Sequence, residues 1–252
     1  MSLLSRLLFP PKCAACSTLL EIDAPTDMAF CPDCQKLWES EQLETCGVCA
    51  KRVGDCACLT ERMQKAKCKG FYKLVYYFPG KKVRVQNRLI YTVKQNRDRR
   101  TVDFLARELF GSVERLMKED AISSSELILT YIPRGVTAKL QYGTDQAKEL
   151  AEALSKISEI PMCPLIRRRW GMSKQQKKLD PVARYKNAKE SFLPVKKPIL
   201  SPKGKTVLLI DDIVTTGASM AVGVQILRKM GASGVYALAS ASDFLNRDRA
   251  VY

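Results

Sequence analysis

Between Thr206 and Ser219 the chain reads Thr-Val-Leu-Leu-Ile-Asp-Asp-Ile-Val-Thr-Thr-Gly-Ala-Ser. Four consecutive apolar residues, Val207 to Ile210, suit a strand buried on both faces, the habit of parallel sheets. Two adjacent carboxylates, Asp211 and Asp212, end the run, and Thr215-Thr216-Gly217-Ala218-Ser219 turns the chain. Beyond the turn, Val222, Ile226, Leu227 and Met230 recur at helical spacing, so a strand here hands over to a helix. Small residues let backbone N–H groups approach an anion, and a helix N-terminus adds positive dipole. The hydroxyls of Thr215, Thr216 and Ser219 add donors. The carboxylates would repel a phosphate, but they suit the vicinal hydroxyls of a ribose or a hydrated magnesium ion. The local chemistry is therefore that of a ribose 5-phosphate.

Two plainer readings compete. In one, Asp211-Asp212 merely ends a buried strand before an ordinary capped helix. In the other, the strand is the Walker B strand of an NTPase, with Gly204-Lys205-Thr206 nearby. That triplet does not meet the P-loop pattern, because position 199 is Ile and the triplet enters a strand instead of opening a helix. The order and spacing resemble the phosphoribosyl pyrophosphate (PRPP) motif of type I phosphoribosyltransferases. The resemblance implies that Asp211 and Asp212 hold the ribose hydroxyls, with magnesium, and that Thr215, Thr216, Gly217, Ala218 and Ser219 cradle the 5-phosphate.

The rest of the second half fits that frame. Leu127 to Ile132 forms another buried strand, and it ends at Pro133-Arg134-Gly135, a plausible pyrophosphate loop. Helices are expected over Thr101–Lys118 and after a Thr144 cap, and a further strand over Gly234–Ser240. Gly171 to Asn187 is polar and basic and reads as a flap or a linker. Strand–helix alternation implies an α/β fold with a doubly wound, mainly parallel sheet and ligand at the strands' carboxyl ends.

The first 70 residues are different. Cys13-x2-Cys16 and Cys31-x2-Cys34 are two knuckles separated by fourteen residues, a strong pattern for one tetrahedral zinc ion. Cys46-x2-Cys49 and Cys56-x-Cys58 form a less regular second quartet. A disulfide framework is the alternative and needs an oxidising compartment, but the apolar segment Leu3–Phe9 is too short, and too interrupted by Arg6, for a signal-peptide core or a membrane span. The expectation is a cytoplasmic protein with no membrane insertion. It divides into a zinc-binding module at 1–70 and a phosphoribosyltransferase-like domain at 71–252. Cys68 and Cys163 fall outside both quartets and read as structural thiols.

Charge points to polyanionic partners. The formal net charge is +16, and there is no histidine, so any catalysis relies on carboxylates, Lys, Tyr, Cys or backbone donors. Two stretches concentrate the cations: a helical segment with Lys81, Lys82, Arg84, Arg88, Arg97, Arg99 and Arg100, and the cluster Arg167-Arg168-Arg169 beside Trp170. A solvated basic face is the bland reading. Cations interleaved with Tyr91 and Trp170 also suit a single-stranded nucleic acid.

Taken whole, the chain resembles the ComF-type competence proteins (ComFC). The matching residues are Leu8-Phe9-Pro10 before the first knuckle, Gly143 and Asp145-Gln146-Ala147, the set Gln176, Leu179, Arg184 and Asn187, and the Asp211–Gly217 motif. Tyr142 stands where the family often has Arg. The resemblance implies a role in natural transformation, with single-stranded DNA and a helicase-like competence ATPase as partners. Three functions remain open: a DNA-handling competence factor with a PRPP site, an active phosphoribosyltransferase with an unidentified nucleobase or nitrogen acceptor, and a regulator or scaffold that keeps only the fold. No catalytic residue is assignable from the sequence.

Overall fold

The run Val207–Ile210 is the interior of β6 (Thr206–Val214), where all four side chains are fully buried. The structure, a computed structural model, describes residues 10–21, 23–25, 28–79, 84–96, 99–135, 143, 145–169, 181–243 and 250–251. Strand β6 pairs in parallel with β3 (Leu127–Tyr131) on one side and β7 (Gly234–Asp243) on the other. Beyond β7 lies β2 (Gly70–Tyr77), also parallel, giving the order β2-β7-β6-β3. The other described strands form pairs outside this sheet: β1 (Leu59–Thr60) with β8 (Ala250–Val251), and β4 (Ile166–Arg168) with β5 (Phe192–Pro194), both antiparallel.

The period of two along β6 sorts its side chains into two cores. Leu208 and Ile210 pack with Leu105, Leu109 and Leu116 of α4 (Arg99–Glu119) and with Leu150 and Leu154 of α5 (Gln146–Ser158). Val207 and Leu209 face Met220, Val224 and Leu227 of α7 (Ala218–Lys229). Helices thus cover both faces of a parallel sheet, as the sequence implies. Gly223 makes the second face close-packed: a Cβ there would come within 2.7 Å of Leu209 and 2.9 Å of Ile132.

Three local expectations change. Arg99 and Arg100 belong not to the basic helix, α3 (Val85–Asn96), but to the second helix, α4, which begins at Arg99 rather than Thr101. The stretch expected to be flap or linker contains α6 (Pro181–Ser191), which buries Ala188 despite its polar composition. The residue at the N-cap position of α5 is Asp145, whereas Thr144, the expected cap, lies outside the described residues.

The cysteine-rich segment folds as two short ribbons with one backbone pattern. Cys13 N–H donates to Thr18 and Ser17 N–H to Cys13, and the same pair of bonds joins Cys46 to Lys51 and Ala50 to Cys46. Ser17 and Ala50 both take the left-handed conformation this turn needs. Cys31 then caps α1 (Pro32–Gln42), and α2 (Glu61–Lys65) follows β1. Phe30 and Trp38 of the first ribbon stack edge-on against Phe104 of α4, with centroids 5.3 and 5.6 Å apart. No described helix is long and apolar enough to cross a membrane.

Candidate functional site

The carboxyl ends of β2, β7, β6 and β3 converge on one cavity of about 440 Å³. Strand β6 supplies Asp211, Asp212, Ile213 and Val214, and the loop beyond it supplies Thr215, Gly217, Ala218 and Ser219. Ile132, Pro133 and Arg134 arrive from the end of β3, and Tyr77, Pro79 and Asp243 from the ends of β2 and β7. The Asp pair, the hydroxyl-bearing loop and the Pro-Arg turn therefore share one wall-to-wall site. Gly217 occupies the N-cap of α7 at φ +70°, so the loop delivers its small residues to the positive end of a twelve-residue helix. Thr216 is buried and is not part of the lining, and Gly135 lies behind Arg134 against Arg168.

The cavity's charges are partly matched internally. Arg134 Nη2 donates to Asp212 Oδ2 at 2.9 Å, and the Arg134 backbone N–H donates to Asp145 Oδ2 at 3.1 Å. Asp145, buried at the start of α5, thus clamps the turn after β3. Burial pushes the Asp211 carboxyl well above the ordinary carboxylate range, and the neighbouring Asp212 adds to the rise. Two carboxylates so close favour a bound cation or hydroxyl donors between them. Their hard oxygens fit magnesium. Tyr77 is a neutral phenol whose pKa is pushed up to about 12 by burial and by its hydrogen bond to Tyr91.

Residues 129–247 match the phosphoribosyl transferase domain family. That stretch, just under half of the chain, is similar to a phosphoribosyl transferase domain. Short stretches also match ribose-phosphate pyrophosphokinases: 48% identity over 42 residues for the Nostoc sp. protein, and 50% over 38 for that of Pyrococcus furiosus. These matches cover 17% and 15% of this chain, and only 13% and 14% of the two relatives. Among solved structures, purine phosphoribosyltransferase from Pyrococcus horikoshii Ot3 is 18% identical, covers 56% of this chain and 69% of its own, and superposes with a TM-score of 0.30.

Several residues of the cavity carry no motif. Tyr77 and Asp243 are legible only as the last residues of parallel strands, where ligands of such sheets collect, and Pro79 as lying just past one of them. Arg168 is the clearest surprise. It belongs to the Arg167-Arg168-Arg169 cluster, yet alternation along β4 exposes Arg167 and Arg169 and turns Arg168 into the cavity wall.

The other expected nucleic-acid contacts divide. Arg84 pairs with Glu41 and Glu44 at 3.0 and 3.3 Å and stacks on Phe78 at 3.9 Å. Arg88 donates to the carbonyl of Ala15, Arg100 to that of Lys12, and Arg99 pairs with Asp103 at 2.9 Å. This basic stripe thus spends much of its charge inside the chain, where Arg84, Arg88 and Arg100 bind the cysteine ribbons to α3 and α4. Lys81, Lys82, Arg97 and Trp170 lie outside the described residues.

Both cysteine quartets are assembled. In each, the four Sγ atoms lie within 4.8 Å of one another, as tetrahedral thiolate ligation of one ion requires. The amides of Val48 and Cys58 each lie 3.4 Å from the sulfur of Cys46 and Cys56, donors that favour thiolates. The donor set fits zinc in Cys13, Cys16, Cys31 and Cys34, and equally in Cys46, Cys49, Cys56 and Cys58. The Cys56-x-Cys58 pair closes its quartet even though its spacing is short. Cys68 is buried and its thiol is pushed up to about 11 by that burial, consistent with an inert structural cysteine.

Proposed function

We propose that the cavity binds PRPP with magnesium and transfers its ribose 5-phosphate to a nitrogen nucleophile. One observation carries the reading: Asp211-Asp212, the Thr215–Ser219 loop and the Pro133-Arg134 turn, far apart in sequence, line a single cavity. The loop and the N-terminus of α7 take the 5-phosphate, the Asp pair takes the ribose hydroxyls, and the turn takes the diphosphate. Asp211 and Asp212 would hold magnesium, which would supply charge neutralisation for the diphosphate. In the transfer, the bond from ribose C1 to the diphosphate oxygen breaks and the electron pair leaves with diphosphate. The acceptor nitrogen's lone pair then forms the C1–N bond, and its proton passes to water. Positioned donors matter more here than a dedicated base, so a chain without histidine can perform it.

The competence reading adds single-stranded DNA and a helicase-like ATPase as partners in a cytoplasmic setting. The exposed Arg167 and Arg169 beside the cavity and the net charge of +16 support it. One set of measurements tests both. Magnesium–PRPP is titrated with and without an oligonucleotide, and pyrophosphate release is screened over nucleobases. PRPP binding without release on any base favours the competence role. Release with one base, and no DNA binding at low salt, favours the enzyme. If DNA binds, its log affinity should fall with log salt at roughly 0.7 per phosphate neutralised. Absence of PRPP binding overturns the reading itself.

A further inference from the structure

The cavity leans on the second cysteine ribbon at two places. Thr60, two residues beyond Cys58, stands against Gly217, where a Cβ would collide with its hydroxyl and lie 3.2 Å from Met63 Sδ. Thr60 also caps α2 by accepting from the Met63 amide. Met63 is fully buried, in one cluster with Met220 and Ala221 of the first turn of α7. The Thr215–Ser219 loop is thus seated on the chain that leaves the Cys46, Cys49, Cys56, Cys58 quartet. On the β2 side of the cavity, Val53 of the same ribbon packs with Tyr76 and Phe78, the two neighbours of Tyr77. The arc between Cys56 and Cys58 is stitched to that strand as well. Phe71 N–H donates to the Ala57 carbonyl at 3.0 Å, and Lys73 Nζ to the Cys56 carbonyl at 3.2 Å.

The ribbon itself has almost no core. Between Cys46 and Cys58 the only buried side chain that is not a cysteine is Val53. A segment like this keeps one shape through its metal, and the four sulfurs lie within 4.8 Å of one another to hold one ion. We propose that metal occupancy of the Cys46, Cys49, Cys56, Cys58 quartet sets the affinity of the cavity for its phosphate ligand. With zinc held, Thr60 and Met63 fix the left-handed turn at Gly217, and the loop amides converge on the anion. Without zinc, the ribbon loosens, the support behind Gly217 goes, and those donors lose their alignment. Two sites joined by a contact that differs between two states are energetically coupled, and such coupling is reciprocal. Ligand in the cavity therefore tightens zinc by the same factor as zinc tightens ligand. The first quartet has no such part, because its ribbon packs on α3 and α4 and supplies none of the described cavity residues. The inference rests on the PRPP reading for the identity of the ligand, but for the coupling only on an anion at the Thr215–Ser219 loop.

The test uses the full zinc-loaded chain and three probes: magnesium–PRPP, ribose 5-phosphate and inorganic phosphate. Binding is followed by calorimetry, and zinc by its equilibrium loss to a competing chromogenic chelator. Bound ligand should hold back one zinc per chain and leave the other unchanged. Cys58→Ser should weaken ribose 5-phosphate by roughly fivefold or more, the lower end of coupling between linked sites. That comparison is made at a temperature where its circular dichroism matches wild type, and Cys16→Ser should bind as wild type does. Thr60→Gly should keep both zinc ions and abolish the protection. A wild type that binds ribose 5-phosphate yet loses zinc indifferently to it overturns the proposal and leaves the PRPP site standing. This measurement needs no variant, so it decides even if Cys58→Ser does not fold. Equal protection of both zinc ions also overturns it, because the ligand would then only stabilise the whole chain. Protection of one zinc by inorganic phosphate, with no binding of PRPP or ribose 5-phosphate, supports the coupling and sinks the PRPP reading. A wild type that binds none of the three overturns both.

Discussion

Asp211 and Asp212 illustrate what the proposed PRPP site costs its own fold. Burial and the adjacent like charge disfavour ionised Asp211, so the ligand-free protein carries strain that a cation or sugar hydroxyls relieve. Asp211→Asn should therefore abolish magnesium–PRPP binding while leaving the melting temperature equal to, or above, that of wild type. A variant that melts lower and still binds PRPP would place the ligand elsewhere. The Asp pair was legible from sequence because the motif is contiguous. Arg168 was not, since three consecutive arginines look alike until β4 sets their alternation. Tyr91 likewise read as a stacking residue, yet its hydroxyl reaches Tyr77 at the end of β2.

At the scale of elements, the Thr215–Ser219 loop is braced from behind by the cysteine-rich segment. A Cβ on Gly217 would fall 2.3 Å from Thr60 Oγ1, the side chain that caps α2 through the Met63 amide. Gly217 is thus fixed by both space and its left-handed backbone. Gly217→Ala should cost about 1–2 kcal/mol for the conformation alone, so melting should fall by roughly 2–8 °C. PRPP binding should weaken with it, and an unshifted melt would show that the loop yields freely. Strand β2 makes a second link. Lys73, 4% exposed at mid-strand, directs Nζ to the sulfur of Cys56 at 3.1 Å and to its carbonyl at 3.2 Å. Four thiolates around zinc leave excess negative charge, and this ammonium offsets part of it. Lys73→Met should speed zinc loss to a chromogenic chelator from one site per chain and leave the other unchanged. Equal release from both sites would refute the assignment. The sequence shows the knuckles, but not that a lysine in a strand-like run serves them, because alternation only says that Lys73 faces away from Leu74.

For the molecule as a whole, the question is how far the cysteine ribbons and the central parallel sheet stand or fall together. The sheet and its helices follow from apolar periodicity, which is why they were readable. The packing of the ribbons on them depends on long-range contacts that periodicity does not encode. Cys13, Phe30 and Trp38 belong to the same buried cluster as Leu105, Leu109 and Leu208. Arg115 pairs with Asp55 and donates to the Gly54 carbonyl at 2.8 Å, tying the second ribbon to α4. A ribbon this small has little core without its metal, so thiolate–zinc bonds contribute directly to folding. Because its aromatic residues complete the sheet's own core, removing zinc should destabilise the whole chain rather than the ribbons alone. Cys13→Ser or treatment with a strong chelator should lower one cooperative melting transition, read identically by far-ultraviolet circular dichroism and by loss of PRPP binding. Two separated transitions, with the PRPP-binding one at its wild-type temperature, would mean that the ribbons only rest against a domain that folds without them. The shared Phe30–Trp38–Phe104 stack argues for the single transition, since Phe104 of α4 loses both aromatic partners when the first ribbon unravels.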